Sequence, residues 1–231
     1  MRRVFSAFFS LLAALFRLVA WTTFVVMVVA GIVVFALWKE LSDDLPPVDE
    51  LARYRPPAAT LVYSNDGTLI GEFFDERRYP IAVSDIPDRV KNAFFAAEDS
   101  GFETHAGVDF LAIGRAFLAN LQQDRIVQGG STITQQVVKQ LLLSPERSYE
   151  RKLKEVILAQ QIEIALSKEK ILELYLNEIY FGAGAYGITA AAETYFGVAP
   201  GDLSIAQAAL LAGLPKAPSR YNPYTLSLIH I

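Results

Sequence analysis

The chain has 231 residues, is 52% hydrophobic and carries a net charge of −4, which suits one membrane segment plus one domain of ordinary size and disfavours general nucleic-acid binding, since that needs a basic surface. With no cysteine, disulfides, thiolate metal sites and cysteine nucleophiles are excluded. His105 and His230 are the only histidines, which excludes a multi-histidine metal site and leaves carboxylates as the natural reactive groups.

Residues 18–38 contain no charge, and at 1.5 Å per residue a helix of that length spans roughly 30 Å, the hydrocarbon thickness of a bilayer. Trp21 and Trp38 lie near its ends, where amphipathic rings settle at the interface. Arg2, Arg3 and Arg17 precede the run, whereas Glu40, Asp43 and Asp44 follow it, so residues 1–17 are expected in the cytoplasm and the remainder outside, at the inner (plasma) membrane. A cleaved signal peptide shares the basic start, but this run exceeds the usual signal core and no small-x-small pattern follows Trp38.

Residues 39–58 read as a stalk, because Pro46, Pro47, Pro56 and Pro57 resist helix and stiffen a connection. Within 59–80, the β-prone runs 59–63 and 68–74 flank Asn65, Asp66 and Gly67, the signature of a small hairpin. Beyond Pro87 apolar residues recur at three- and four-residue spacing, predicting helices over 88–99, 110–122, 132–143, 149–167, 168–179, 187–196 and 204–212. The expected fold class is therefore mainly α.

Several polar residues in these segments could carry chemistry. Glu98 sits at the edge of an apolar stripe of Val90, Ala93, Phe94 and Ala97, where partial desolvation would raise its pKa and suit it to proton transfer; a surface glutamate at a helix end is the bland alternative. Gly129 and Gly130 lead into Ser131, with Thr132 and Gln135 spaced as a capping box, so this helix start either offers free N–H groups to an anion beside Gln136 and Lys139 or is an ordinary capped helix with a solvated lysine. In the next helix Leu153, Val156, Ile157, Gln160 and Ile164 form the predicted inward stripe, which would turn Arg151 and Glu155 to the opposite face, with Arg147 and Lys152 nearby. That face is either a solvated pair or, in a cleft, a diphosphate clamp. His105 has no evident partner and is assigned a structural hydrogen bond, while the glycine and aromatic run 180–187 faces a sugar or simply connects two packed helices.

Taken together these blocks resemble the glycosyltransferase domain of class A penicillin-binding proteins, the peptidoglycan polymerases of glycosyltransferase family 51. The resemblance rests on Glu98, Asp99, Phe102, His105, Gly107 and Asp109, then on 130–136 with Lys139, then on Arg151, Lys152 and Glu155, and finally on Asn177, Tyr180, Gly182, Gly184, Gly187 and Gly197. It implies a lysozyme-like, α-rich glycosyltransferase domain over 81–225 acting on lipid II and a growing glycan strand, in contact with the membrane and cell-wall synthesis proteins. It implies further that Glu98 is the general base and Glu155 the second functional carboxylate. Lys139, Arg147, Arg151 and Lys152 would hold the diphosphate, and Ser131, Gln136 and Asp99 would support donor binding or the geometry around the base. No cofactor is required, although a divalent ion, magnesium or manganese, near Glu155 is compatible.

Gln140 stands where many relatives carry asparagine, and residues 226–231 match neither this domain nor a following transpeptidase domain, so they read as a divergent or truncated end. The main rival is a membrane-anchored lysozyme-like glycan hydrolase. Its substrate has no diphosphate for four cations to neutralise. The second rival is an inactive membrane-bound assembly module.

Overall fold

The computed structural model describes residues 2–43, 45–123, 129–144, 146 and 148–224. Arg147 and the tail 226–231 lie outside the described residues. The chain divides into two compact units, Met1–Leu45 and Pro46–Ile231. The first is helix α1, Arg2–Asp43, longer at both ends than the predicted span. Its stretch Ala14–Val33 is apolar and long enough to cross a membrane, and Trp21, Phe24 and Ile32 are among its exposed large side chains. A helix apolar all round with no protein covering it has the character of a bilayer segment.

The second unit begins with a short 3-10 turn, Val48–Ala52, which buries Leu51 and packs against helix α5, Tyr149–Ala165. This part of the expected stalk is thus docked on the domain. The hydroxyl of Tyr54 reinforces it by donating to Glu178 Oε1 at 3.0 Å.

The predicted hairpin is present as β1, Thr60–Tyr63, antiparallel to β2, Leu69–Phe73, with Thr60 opposite Phe73. Asp66 Oδ1 accepts from the Thr68 amide and the Ser64 hydroxyl, and Gly67 takes φ +83°, a conformation that favours glycine.

The helices of the domain are α2, Asp88–Glu98; α3, Phe110–Gln123; α4, Ile133–Leu141; α5; α6, Lys168–Glu178; α7, Gly187–Phe196; and α8, Ile205–Gly213. Each starts within a residue of its predicted position, because the caps are written locally: Thr132 with Gln135 and Ser204 with Gln207 both form complete capping boxes. The core is built from Phe94 of α2, Ile133 and Val137 of α4, Leu158 and Ile162 of α5, Tyr175 of α6, Phe181 and Ile188. Helix α2 packs on α8, and α4 packs on both α5 and α6. Phe94 meets Tyr175 and Phe181 edge to face, at centroid distances of 6.1 and 5.8 Å.

A second sheet was not foreseen. Its strands, β3 at Arg77–Arg78, β4 at Tyr180–Gly182 and β5 at Ala185–Tyr186, are too short to show an alternating pattern. β5 lies between the other two, parallel to β3 and antiparallel to β4. The glycine and aromatic run is therefore a packed connection: Phe181 and Ala185 are buried, and Gly187, at φ +79°, lies against the Asn177 backbone, where a Cβ would be 2.8 Å from its carbonyl oxygen. Beneath it, the buried Arg78 bonds Glu178 at 3.0 Å, Glu76 at 2.7 Å and the Asn177 carbonyl at 3.0 Å, joining two segments distant in sequence.

Candidate active site

A cleft of about 610 Å³ opens between the C-terminal end of α2, the N-terminal ends of α4 and α5, and the segment after α8. Glu98, Asp99, Ser131, Gln136, Lys139, Arg151, Lys152 and Glu155 all line it. Every described residue singled out from the sequence for catalysis or substrate binding thus comes to one place. Arg115, Asp109 and Lys216 join them without having been singled out for the site. Lys216 follows a helix that showed only an apolar pattern, so nothing local marked it.

Glu98 ends α2, one turn beyond the buried Phe94, and is half-buried. Gln136 Nε2 donates to its Oε2 at 2.8 Å. Burial raises the Glu98 pKa above the usual carboxylate value; the Gln136 bond and the charge of Lys216 oppose this, while Asp99 adds to it. Glu98 is thereby suited to exchange a proton.

The start of α4 is the capped alternative. Two of its amides are taken by the protein itself: Ile133 N donates to Asp99 Oδ2 at 2.9 Å, and Thr132 N donates to Gln135 Oε1 at 3.0 Å. A protein carboxylate has taken the position that the helix dipole favours for an anion. The same Asp99 oxygen lies 2.8 Å from His105 Nε2, and Gly107 N donates to His105 Nδ1 at 3.1 Å. With Nδ1 accepting, Nε2 carries the proton and donates to Asp99. His105 therefore has a partner after all, in Asp99 and the Gly107 amide. Asp99, only 7% exposed, fixes α4 relative to α2 and so sets Gln136 against Glu98.

Helix α5 corrects an expectation. Leu153 is 51% exposed and Ile164 is 87% exposed, whereas Glu155 is 3% exposed and lies on the buried side with Leu158, Ala159 and Ile162. Ile157 of the predicted stripe is buried, but its ends are not, because the stripe followed side-chain hydrophobicity alone whereas α5 packs against both the turn Val48–Ala52 and α4. A buried carboxylate needs a partner, and Lys152 supplies it by donating to Glu155 Oε1. Lys152 Nζ also donates to Ser131 Oγ at 3.0 Å. Ser131, Lys152 and Glu155 thus form one chain of contacts across the cleft.

Arg151 enters the cleft beside them, its backbone N–H capped by Ser148 Oγ at 3.0 Å. Its Nε is buried without a protein partner, while Lys139 is exposed along the same cleft. A donor of this kind costs stability until an acceptor reaches it, and an anion is the fitting one. Among the described residues no group of three or more Asp, Glu or His side chains stands together to hold a metal ion. Glu155 itself is engaged by Lys152.

The family model for transglycosylases matches residues 66–228. Penicillin-binding protein 1A of Aquifex aeolicus is 48% identical over 200 residues, covering 87% of this chain and 27% of that protein. The protein of the same name from Pseudomonas aeruginosa is 48% identical over 204 residues, covering 88% of this chain and 25% of its own. A crystal structure of penicillin-binding protein 1A from Haemophilus influenzae aligns at 28% identity and a TM-score of 0.36, over 74% of this chain and 16% of that one. The chain spans about a quarter of the length of these relatives in sequence.

Proposed function

This chain belongs to the transglycosylase family, and from that premise we propose that it is a peptidoglycan glycosyltransferase, polymerising lipid II into β-1,4-linked strands with release of undecaprenyl diphosphate. One observation carries the reading. A single cleft holds a carboxylate whose pKa is raised by burial together with Lys139, Arg151 and Lys152 and the buried Glu155.

Glu98, ionised and oriented by Gln136, takes the proton from the 4-hydroxyl of the acceptor sugar. The freed oxygen attacks the anomeric carbon of the donor with inversion, and the bond to the diphosphate breaks. The leaving group departs as an anion, so it needs positive charge more than a proton. Lys139 and the Arg151 guanidinium, with its unsatisfied Nε, meet that need; Lys152 adds charge while Glu155 and Ser131 hold it in place. No step depends on a metal ion. A lipid-linked substrate also agrees with a membrane anchor at α1, with the catalytic domain on the outer side, as the flanking charges favour.

The test is polymerisation of lipid II by the purified chain in detergent. Wild type forms glycan strands, and Glu98→Gln loses roughly 10²- to 10⁴-fold of the rate, the usual contribution of a general base. Full activity in that variant refutes the assignment of the base. Release of muropeptides from finished sacculi, without consumption of lipid II, identifies a hydrolase instead.

A further inference from the structure

A closed ring of contacts surrounds the start of α4, and three of its members, Thr134, Glu163 and Lys168, are not among the residues that line the cleft. His105 Nε2 donates to Asp99 Oδ2 at 2.8 Å. The carbonyl oxygen of the same histidine accepts from Lys168 Nζ at 2.7 Å, and this ammonium also donates to Glu163 Oε1 at 2.8 Å. The Thr134 hydroxyl donates to that carboxylate oxygen at 2.6 Å, and the neighbouring Ile133 amide returns to Asp99 Oδ2 at 2.9 Å. Glu163 belongs to α5 and Lys168 opens α6, so the ring ties α4, α5 and α6 to the His105 turn and to the residue that follows α2. Thr134 is fully buried, the Glu163 side chain is 7% exposed, and Lys168 Nζ stands 4.6 Å from the centroid of the buried Phe102 ring. A buried ion pair adds little over an apolar filling of the same volume, so stability alone gives no reason for this one. The ring does hold both ends of a bond in the site. Glu98 directly precedes Asp99, and Gln136, whose Nε2 donates to Glu98 Oε2 at 2.8 Å, stands two residues after Thr134.

We propose that Thr134, Glu163 and Lys168 are positioning residues for the base: through this ring they hold the start of α4 against the end of α2, so that Gln136 meets Glu98. They act on Glu98 only through Gln136. The groups that face Glu98 are Gln136 from α4, Lys216 from the segment after α8, and Asp99 beside it; the first two favour the ionised carboxylate and Asp99 opposes it. Opening the ring at Thr134 changes none of these residues and loosens only the placement of Gln136. The proposal rests on Glu98 being the base, and its test has a readout that needs no turnover.

Thr134→Val keeps the shape of the side chain, removes the hydroxyl and leaves Glu163 its lysine. The full chain, labelled with carbon-13 at glutamate carboxyls, is titrated by NMR in detergent, with Glu98→Gln assigning the resonance. The Glu98 midpoint moves upward by about half a pH unit, because a hydrogen bond to the ionised form weakens. In a Gln136→Ala background, where no such bond is left to place, Thr134→Val shifts the midpoint no further. The double variant Glu163→Gln with Lys168→Met opens the ring elsewhere, strands no charge and raises the midpoint as well. In the polymerisation assay Thr134→Val lowers kcat by roughly 10-fold, as a misplaced group does, and Thr134→Ser, which keeps the hydroxyl, recovers most of the loss. An unchanged midpoint in a folded Thr134→Val protein overturns the proposal, and so does an equal shift in the Gln136→Ala background or a Thr134→Ser protein as slow as Thr134→Val. A wild-type chain that fails to polymerise lipid II, alongside the expected shift in midpoint, overturns the proposed function and upholds the ring.

Discussion

Gly107 connects the fold to the site, and replacing it with alanine tests that connection. It follows the His105 turn at φ +88°, and a Cβ there would lie 2.6 Å from the Ala159 carbonyl oxygen and 2.7 Å from its carbon, both in the backbone of α5. Gly184 provides the control, since it has φ +74° but nothing within 4 Å of the corresponding position. Gly184→Ala therefore reports the conformational penalty alone, about 1–2 kcal/mol. Gly107→Ala adds a collision with backbone that cannot rotate away, so the loop must lift from α5. Two contacts loosen with it: the Thr132 hydroxyl donating to Gly107 O at 2.6 Å, and Gly107 N donating to His105 at 3.1 Å. At about 0.5–1.5 kcal/mol for each hydrogen bond, the total loss is about 2–5 kcal/mol. An excess over the control of about 2 kcal/mol lowers the melting temperature of a domain this size by about 4–8 °C more, measured by thermal unfolding of the full chain in detergent. Because the same loop carries His105, and through it Asp99, polymerisation should fall further than stability accounts for. Equal melting temperatures for the two variants would refute the close approach of this loop to α5.

Four other predictions follow from the site and its supports. Since Glu98 must be ionised to accept a proton and burial raises its pKa, the acid limb of kcat/KM lies above the usual glutamate value, and activity is lost as pH falls through it; a limb at or below that value counts against Glu98. The same raised pKa means the folded state holds this proton more tightly than the unfolded one, so its stabilising contribution is present at low pH and disappears as pH rises through the folded value; Glu98→Gln should melt higher than wild type at neutral pH. Lys139→Ala and Arg151→Ala should lower kcat by about 10- to 10³-fold with little change in melting temperature, whereas a purely structural role would reverse that ordering. Arg78→Met strands Glu178 in the interior and should cost about 3–5 kcal/mol in denaturant unfolding, while adding Glu178→Gln should recover much of it.

Local chemistry is plain in the sequence wherever the interacting residues are near one another along the chain. Helix starts, the capping box of Thr132 and Gln135, the turn at Asp66 and Gly67 and the uncharged run of α1 were all legible for that reason. Much of the cleft lining was legible too, as motif residues. Where two elements had to meet, the sequence fell short. It placed Leu153 and Ile164 inward and Glu155 outward, yet α5 packs against both the Val48–Ala52 turn and α4, with Glu155 buried and those two exposed. It left open whether the amides at the start of α4 are free, and Asp99 takes one of them from the end of α2. It gave no sign of Lys216 beside Glu98 or of the sheet joining β3 to β5. Hydrophobic period and capping are properties of one segment and its own backbone, so sequence determined the elements and the kind of chemistry they carry. The environment of each carboxylate depends on neighbours brought in from other segments, so only the tertiary structure decided which one is half-buried with a raised pKa and which is buried against a lysine.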